Sequence, residues 1–135
     1  MAITYYSANR VLDKNFGGSA YTEPVTYYFG LSTTTIAIAG TGATEPAGGS
    51  YARVSFTNNK TNWGTAASAA LTNSAAVTFP ESSASWGTIT YVAMWDAASS
   101  GNLWWFDALS PARAVASTTT VLFAIGAITV SMTNT

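Results

Sequence analysis

The N-terminal segment follows the period of a helix. Apolar residues recur there at spacings of three and four, at Tyr5, Ala8, Leu12 and Phe16. This spacing places them on one side of an α-helix. Ser7 is a typical N-cap residue, and Gly17-Gly18 supplies a residue free to take a positive φ at the end. We therefore predict a helix over Ser7–Phe16, and we expect its apolar side to pack on the rest of the molecule.

After the two glycines the pattern changes to short stretches in which apolar and polar residues alternate. β-Branched and aromatic residues dominate these stretches, and Gly, Pro, Asn and Ser separate them, as is typical of strands. The predicted strands are Pro24–Thr33, Tyr51–Phe56, Ala75–Pro80, Gly87–Asp96, Asn102–Leu109, Thr119–Ile125 and Ala127–Met132. This pattern predicts an all-β fold: an antiparallel, jelly-roll-like β-sandwich with one short N-terminal α-helix outside it.

The same alternation predicts the core of the sandwich. The expected core residues are Val77, Phe79, Ile89, Tyr91, Leu103, Leu122 and Ile128. No linker or change of composition divides the chain. We therefore expect a single domain over residues 1–135, with a helical arm at 1–18 and the sandwich at 24–135.

Few side chains in this protein are ionisable. Charged residues make up 8% of the chain, against about 25% in typical soluble domains. Histidine and cysteine are absent, which removes the commonest general base and the usual soft metal ligands. We expect no cofactor and no metal. The five basic residues are scattered, so we expect no nucleic-acid partner.

The low charge also bears on association. The net charge is −1 in 135 residues, and the longest apolar run, Val121–Val130, has half the length of a membrane span. We therefore expect no membrane partner. Copies of such a chain repel each other little, so we expect other copies or a partner to cover much of its surface.

Three acidic residues are candidates for an active site: Glu81, Asp96 and Asp107. A glycosidase needs two carboxyl groups that face each other across a cleft. Glu81 follows Pro80 at a strand end, and Asp96 opens a turn, where aspartate commonly caps backbone amides. The turn interpretation is favoured, and we expect no enzymatic activity.

The tryptophans leave two interpretations open. Strict alternation in Asn102–Leu109 places Trp104 and Trp105 on opposite faces, so we expect both faces of this strand to be covered. Indole rings most often fill cores and interfaces. Exposed aromatic rings that bind glycans are the alternative.

Three stretches carry a resemblance to a known family: "GGSYARVSF", "AAVTFPESSASWGTITYVAMWDAASSGNL" and "FAIGAITVSM". With the N-terminal "ANRVLDKNFGGSAYTEPVTYYFGLSTT", the chain resembles small virion proteins of tailed phages, which are named head decoration, cement, head-fibre or minor tail proteins. The most specific part is "TFP…ASWGT" followed by "WDAASSGNL". The resemblance implies a structural role in a virion, without catalysis.

This resemblance implies a capsid decoration (cement) protein on the outer surface of the phage head, which binds the major capsid protein as a homotrimer. The alternative is a tail or fibre component that contacts the host surface. We expect the contacts in the segment Met1–Phe16 and the loop Gly40–Ser50, two parts not needed to close the β-core. The predicted contact residues are Tyr5, Tyr6, Val11, Glu45, Pro46, Trp63 and Trp104.

Overall fold

Nine short strands build an antiparallel sandwich with a helix near its N-terminus, in a computed structural model that describes residues 1–132. The main sheet has the strand order β1-β7-β6-β2-β3. Its strands are β1 Ala2–Ile3, β2 Thr26–Ser32, β3 Val54–Thr57, β6 Gly87–Trp95 and β7 Leu103–Val115. Two ribbons pair β4 Ala70–Thr72 with β9 Thr129–Ser131, and β5 Val77–Thr78 with β8 Leu122–Phe123. The predicted all-β antiparallel fold is confirmed, and its jelly-roll detail stays a prediction.

The core lies between the main sheet and the two ribbons. Phe29 lies opposite Met94, and Leu31 lies opposite Val92, so these side chains share one face of the sheet. The ribbon layer covers that face with Val77, Phe79 and Ile128. The residues that sequence alternation places on one side of each strand therefore meet in one continuous core.

The structure tests the predicted core residue by residue. Val77, Phe79, Ile89, Leu103 and Ile128 are buried, as predicted. Tyr91 is half-buried, and the prediction for Leu122 is wrong, because its side chain is 57% exposed. The next residue, Phe123, takes the inward position against Phe79 at a ring distance of 6.3 Å. Neighbours in a strand point to opposite sides, so Leu122 points outward.

The helix α1 spans Tyr5–Leu12 and begins two residues before the predicted start. Its N-cap is Thr4 rather than Ser7, since the Ser7 N–H donates to Thr4 Oγ1 at 3.3 Å. A π-helical turn, Asp13–Gly17, follows and ends at Gly18, which has a φ of +72°. The predicted stop at the two glycines is confirmed, because glycine takes this conformation without steric cost.

Short strands explain most differences from the predicted elements. The strands β1 and β4 were not predicted, because two or three residues carry too little alternation. The strand β7 runs on to Val115, through a stretch predicted to be a connection. A register shift between Ile89 and Tyr91 takes up the extra residues around the cis Ser110-Pro111 bond.

A β-bulge overturns the predicted alternation of the two neighbouring indoles. Met94 lies opposite Trp105, but the next residue, Trp95, lies opposite Leu103. Trp104 is therefore the extra residue of the bulge. Trp104 and Trp105 pack in the main core, whereas Leu103 packs with Trp95 on the other face. The predicted coverage of both faces is present, but the two indoles share one face.

Part of the connection between β2 and β3 covers the second face of the main sheet, where Ile36 and Ala43 pack near Trp95. Arg53 holds this connection in place. The Arg53 guanidinium lies 4.0 Å from the centroid of the Trp95 ring. It donates to both carboxylate oxygens of Glu45, at 2.9 and 2.7 Å. It also donates to the backbone oxygens of Ala97 and Ser100, at 2.7 and 2.8 Å. One side chain thus joins two loops to the sheet.

The loop Gly40–Ser50 is part of the fold. The Tyr51 hydroxyl donates to Glu45 Oε1 at 2.7 Å, and burial raises the pKa of Tyr51, which keeps it a donor. Gly30 permits this approach, because a Cβ there would lie 2.8 Å from Glu45 Oε1 and 3.0 Å from the Tyr51 hydroxyl. The expectation that this loop is dispensable for the β-core is therefore wrong.

Candidate attachment surface

The first residues of the N-terminal segment are fixed to the main sheet. The strand β1 pairs with β7. The Thr4 N–H donates to Trp104 O at 3.1 Å, and Thr4 Oγ1 donates to Leu103 O at 2.7 Å. The Tyr5 N–H donates to Ile38 O at 3.0 Å. The start of this segment therefore belongs to the fold, and it docks on the main sheet through backbone hydrogen bonds.

Aromatic and cationic side chains stack between α1 and the sheet. The Tyr6 ring meets the Trp104 indole edge to face, at 5.4 Å between centroids. The Arg10 guanidinium lies 4.5 Å from the Tyr6 ring and 5.8 Å from the Tyr21 ring. Each aromatic pair adds about 0.5–1.5 kcal/mol beyond its buried area. These stacks fix the rotation of α1 on the sheet.

The outer side of α1 and of the π-helical turn after it is apolar and exposed. Tyr5 is 57% exposed, Leu12 is 54% exposed and Phe16 is 86% exposed. Tyr5 and Leu12 are seven residues apart, so they share one side of the helix. The predicted burial of Leu12 and Phe16 is wrong, because the Thr4 cap and the Tyr6 stack turn another side of the helix inward.

Two further exposed apolar side chains lie near the helix. Ile38 is 49% exposed, and its carbonyl accepts the hydrogen bond from Tyr5. Val25 is 75% exposed and lies with Arg10 along a cleft of about 510 Å³ beside the helix. We define the helix surface as Tyr5, Leu12, Phe16, Val25 and Ile38.

Charged side chains lie next to the helix surface. Lys14 forms an ion pair with Glu23, and Lys14 Nζ lies 5.1 Å from the Tyr21 ring. Their hydrogen bond raises the pKa of Lys14 and lowers the pKa of Glu23. Arg10 Nε is buried and has no hydrogen-bond partner among residues 1–132. The helix surface therefore combines apolar area with fixed charges of both signs.

The predicted contact residues are spread over the molecule. Tyr5 is exposed; Tyr6, Val11 and Glu45 are half-buried; Pro46, Trp63 and Trp104 are buried. Trp63 packs on Phe29 and Phe56, at ring distances of 6.2 and 5.0 Å. Trp63 and Trp104 thus lie under their own chain, which corrects their assignment as surface contacts. Leu12, Phe16, Val25 and Ile38 were missed, since the sequence does not show which side of the helix faces the sheet.

The candidate catalytic carboxylates are not paired. Asp107 lies opposite Val92, four residues from Asp96 along β6. At about 3.3 Å per residue this separation is roughly 13 Å. Paired glycosidase carboxylates lie about 5–9.5 Å apart. Glu81 is exposed on the connection before β6. Within residues 1–132 there is no group of three potential metal-ligating side chains.

The Asp96 carboxylate accepts three hydrogen bonds from its own turn and the following strand. It accepts bonds from the Asn102 N–H at 2.7 Å, from Asn102 Nδ2 at 2.9 Å and from Trp104 Nε1 at 3.1 Å. Partial burial acts to raise the pKa of Asp96, but these hydrogen bonds outweigh it and lower the pKa. Asp96 therefore closes the turn after β6, as the sequence predicts.

A second concave region adjoins Trp105. This cleft of about 340 Å³ is lined by apolar and aromatic side chains together with three polar ones, Asn58, Asn59 and Lys60. The half-buried Trp105 and the buried Tyr27 and Trp63 supply the aromatic rings. Mostly apolar clefts with a few polar groups are typical of small-ligand sites.

The comparison with protein families agrees with the resemblance to virion proteins of tailed phages. The chain matches the family model of the podophage GP4 fiber I protein gp80 over residues 2–131. No curated protein sequence matches it. In the part of the chain that the structure describes, no helix is long and apolar enough to cross a membrane. The family match spans all nine strands and α1, and the chain therefore belongs to the podophage GP4 fiber I protein gp80 family, a family of structural proteins of the tailed-phage virion.

Proposed function

We propose that this protein is a subunit of a virion fibre and that it attaches to the particle through the helix surface. The family match supports a fibre component. The exposed apolar residues of α1 and of the π-helical turn after it are the observation that supports the attachment, above all Phe16, which is 86% exposed. Burial of a large apolar side chain by a partner stabilises a contact by about 1.5–3 kcal/mol.

The proposed partner is another virion protein. The helix surface places apolar side chains beside Arg10, Lys14 and Glu23. A protein partner with complementary charges would select one orientation at such a surface. On the head this partner would be the major capsid protein, and on the tail it would be a neighbouring fibre or tail protein.

The proposed fibre subunit acts as a homotrimer. Self-association is supported by the low charge of the chain, 8%, and by exposed Ile125, Leu122 and Met132. Most soluble oligomers are symmetric assemblies of identical chains.

Immunogold labelling of intact virions, with quantitative gels for copy number, tests the location. If the protein is a fibre subunit, each virion should contain few copies of it, and the gold particles should lie at one appendage. Head decoration, the competing hypothesis, predicts hundreds of copies and labelling over the whole shell. Labelling over the whole shell would replace the fibre assignment with the decoration assignment.

We further propose that the protein has no enzymatic activity. The separation of Asp96 from Asp107 and the hydrogen bonds on Asp96 support this proposal. Virions that carry Glu81→Gln or Asp107→Asn should assemble and infect like the wild type. A hydrolytic activity on the host envelope that these variants lose would overturn the proposal.

Binding of a host glycan at the Trp105 cleft is a second candidate function, supported by the three aromatic rings beside Asn58, Asn59 and Lys60. Titration of the purified protein with host envelope polysaccharide, followed by tryptophan fluorescence, tests it. Binding should be lost in Trp105→Leu and kept in Lys14→Ala, whose substitution lies outside the cleft. Equal binding by both variants would exclude this cleft.

A further inference from the structure

The second layer of the sandwich contains no charged residue. Residues 61–80 and 116–132 form β4, β5, β8 and β9 with their connections, and they include no Lys, Arg, Asp or Glu. We call these residues the uncharged layer. At the usual charged fraction of about 25%, a stretch of this size would carry about nine charges. All eleven charged residues of the chain, five basic and six acidic, lie elsewhere.

The uncharged layer exposes apolar side chains on its outer side. Its inner side packs on the main sheet through Val77, Phe79 and Ile128. On the outer side, Ile125 is 68% exposed, Leu122 is 57% exposed and Met132 is 52% exposed. A layer with one solvated face normally presents polar residues there. The exposed strand positions also include Thr72, Thr78 and Thr129. The outer side therefore combines neutral polar groups with large apolar side chains, and it carries no charge.

Only one ribbon of this layer has open edges. In the pair β5–β8, each strand has one hydrogen-bonded neighbour among the strands. The strand β4 is bonded on both edges, because the Gly64 N–H donates to Thr72 O at 2.9 Å and Ala67 pairs with Ala70. The Met1 ammonium donates to Thr129 O in β9. Since β5 and β8 are only two residues long, strand addition has little room, and association through this layer depends on its side chains.

The absence of charge favours a second copy of this chain as that other chain. Around a symmetry axis, each residue near the axis meets the same residue of another copy. A charged residue there would face a like charge, which costs binding energy. The uncharged layer contributes no such pair, and the charged groups next to it lie at its borders: Lys60 on Gly64 O, the Met1 ammonium on Thr129 O, and Arg113 beside Leu122. The helix segment holds Arg10, Asp13 and Lys14 within five residues, and Glu23 pairs with Lys14, so it would place like charges together.

We propose that copies of this chain associate through the uncharged layer, with Leu122 and Ile125 at the contact. This inference rests on the self-association proposed above and assigns a surface to it. It leaves the helix surface free to bind a different virion protein. The layer itself contributes no charged residue, and exposed Arg113 lies at its border, along a cleft with Leu122. The association is therefore expected to depend mainly on apolar area and to change little at high salt.

Sedimentation velocity of the purified full-length protein tests the inference. The wild type should sediment as one oligomer at micromolar concentration, at low and at high salt. Ile125→Glu should weaken association by at least about 10-fold, because each copy would bury a like charge. Ile38→Glu is the matched control: it places the same charge on an exposed isoleucine of the helix surface and should keep the wild-type mass.

Thermal melting by circular dichroism shows whether each variant is folded, and Ile125→Ser replaces Ile125→Glu if the charged variant unfolds. Folded Ile125 variants with the wild-type mass would overturn the inference, and so would a monomeric wild type. Immunogold labelling separates this result from the virion role. A monomeric protein that still labels an appendage overturns only the inference, whereas unlabelled virions overturn the proposed function.

Discussion

The helix surface and the uncharged layer both expose large apolar side chains, but they differ in charge and in sequence context. Leu12 and Phe16 lie beside Asp13, Lys14 and Asn15. Ile125 lies between alanine and glycine in a stretch without any charge. Apolar area alone favours association, and charge decides which partner fits. A surface with fixed charges suits a different protein, whereas an uncharged one suits its own copies.

The largest effect is expected from deletion of residues 2–16. This deletion removes Tyr5, Leu12 and Phe16 from the helix surface. The deletion removes β1, the Thr4 bonds to β7 and the Tyr6 ring from Trp104. Exposure of a buried indole and loss of its neighbours should cost about 3–5 kcal/mol. Thermal and urea unfolding should show a destabilised or unfolded chain. A truncated protein with wild-type stability would show that the segment is only an arm.

Arg53→Met tests whether the charges outside the uncharged layer serve the fold. The Arg53 side chain is 5% exposed, and its loss would leave Glu45 without its cation. Breaking one partner of such a pair costs about 3–5 kcal/mol, and the partial exposure of Glu45 favours the lower end. The double variant with Glu45→Gln should lose less than the sum of both single variants. Additive losses in urea unfolding would contradict the pairing.

Gly30→Ala tests how closely the covering loop approaches the main sheet. A Cβ at Gly30 would lie 2.7 Å from the Trp95 ring and 2.8 Å from Glu45 Oε1. Such overpacking should cost about 1–3 kcal/mol. Gly17→Ala is the control, because nothing lies within 4 Å of its Cβ position. Equal melting temperatures of the two variants would contradict the close packing of this loop.

The smallest effect is expected at Asp96, which closes a turn beside the helix surface. Asp96→Asn should cost about 1–2 kcal/mol at pH 7, because hydrogen bonds to a charged acceptor are replaced by weaker ones. The pKa of Asp96 is lowered in the fold. Its ionised form therefore stabilises the protein above the ordinary carboxyl pKa of about 3.9, and this stability is lost as the pH falls through the lowered value. The wild type and Asp96→Asn should thus converge in stability below about pH 4, and a constant difference down to pH 2 would contradict this role.

Much of the fold follows from local pattern, whereas the surfaces depend on tertiary contacts. The long strands β2, β6 and β7 alternate clearly, and the sequence locates them within a few residues, apart from the extension of β7. The bulge at Trp104 depends on pairing with Met94 and Trp95, which lie on another strand.

The rotation of α1 is the second feature that local pattern does not determine. The apolar spacing of Leu12 and Phe16 predicts burial, but the Thr4 bonds to β7 turn both side chains outward. Such bonds are formed with residues about a hundred positions away in the chain. The uncharged layer is visible in the sequence as two stretches without charge, yet only the pairing of β4 with β9 and of β5 with β8 brings the two together.

The copy number of the protein in virions that carry Phe16→Glu tests the central claim most directly. The control is Asn15→Glu, which adds the same charge at the neighbouring exposed position. Quantitative gels of purified particles should show near-complete loss of the Phe16→Glu protein and wild-type amounts of the Asn15→Glu protein, while both purified variants keep the wild-type oligomer mass. A wild-type copy number for Phe16→Glu would contradict attachment through the helix surface.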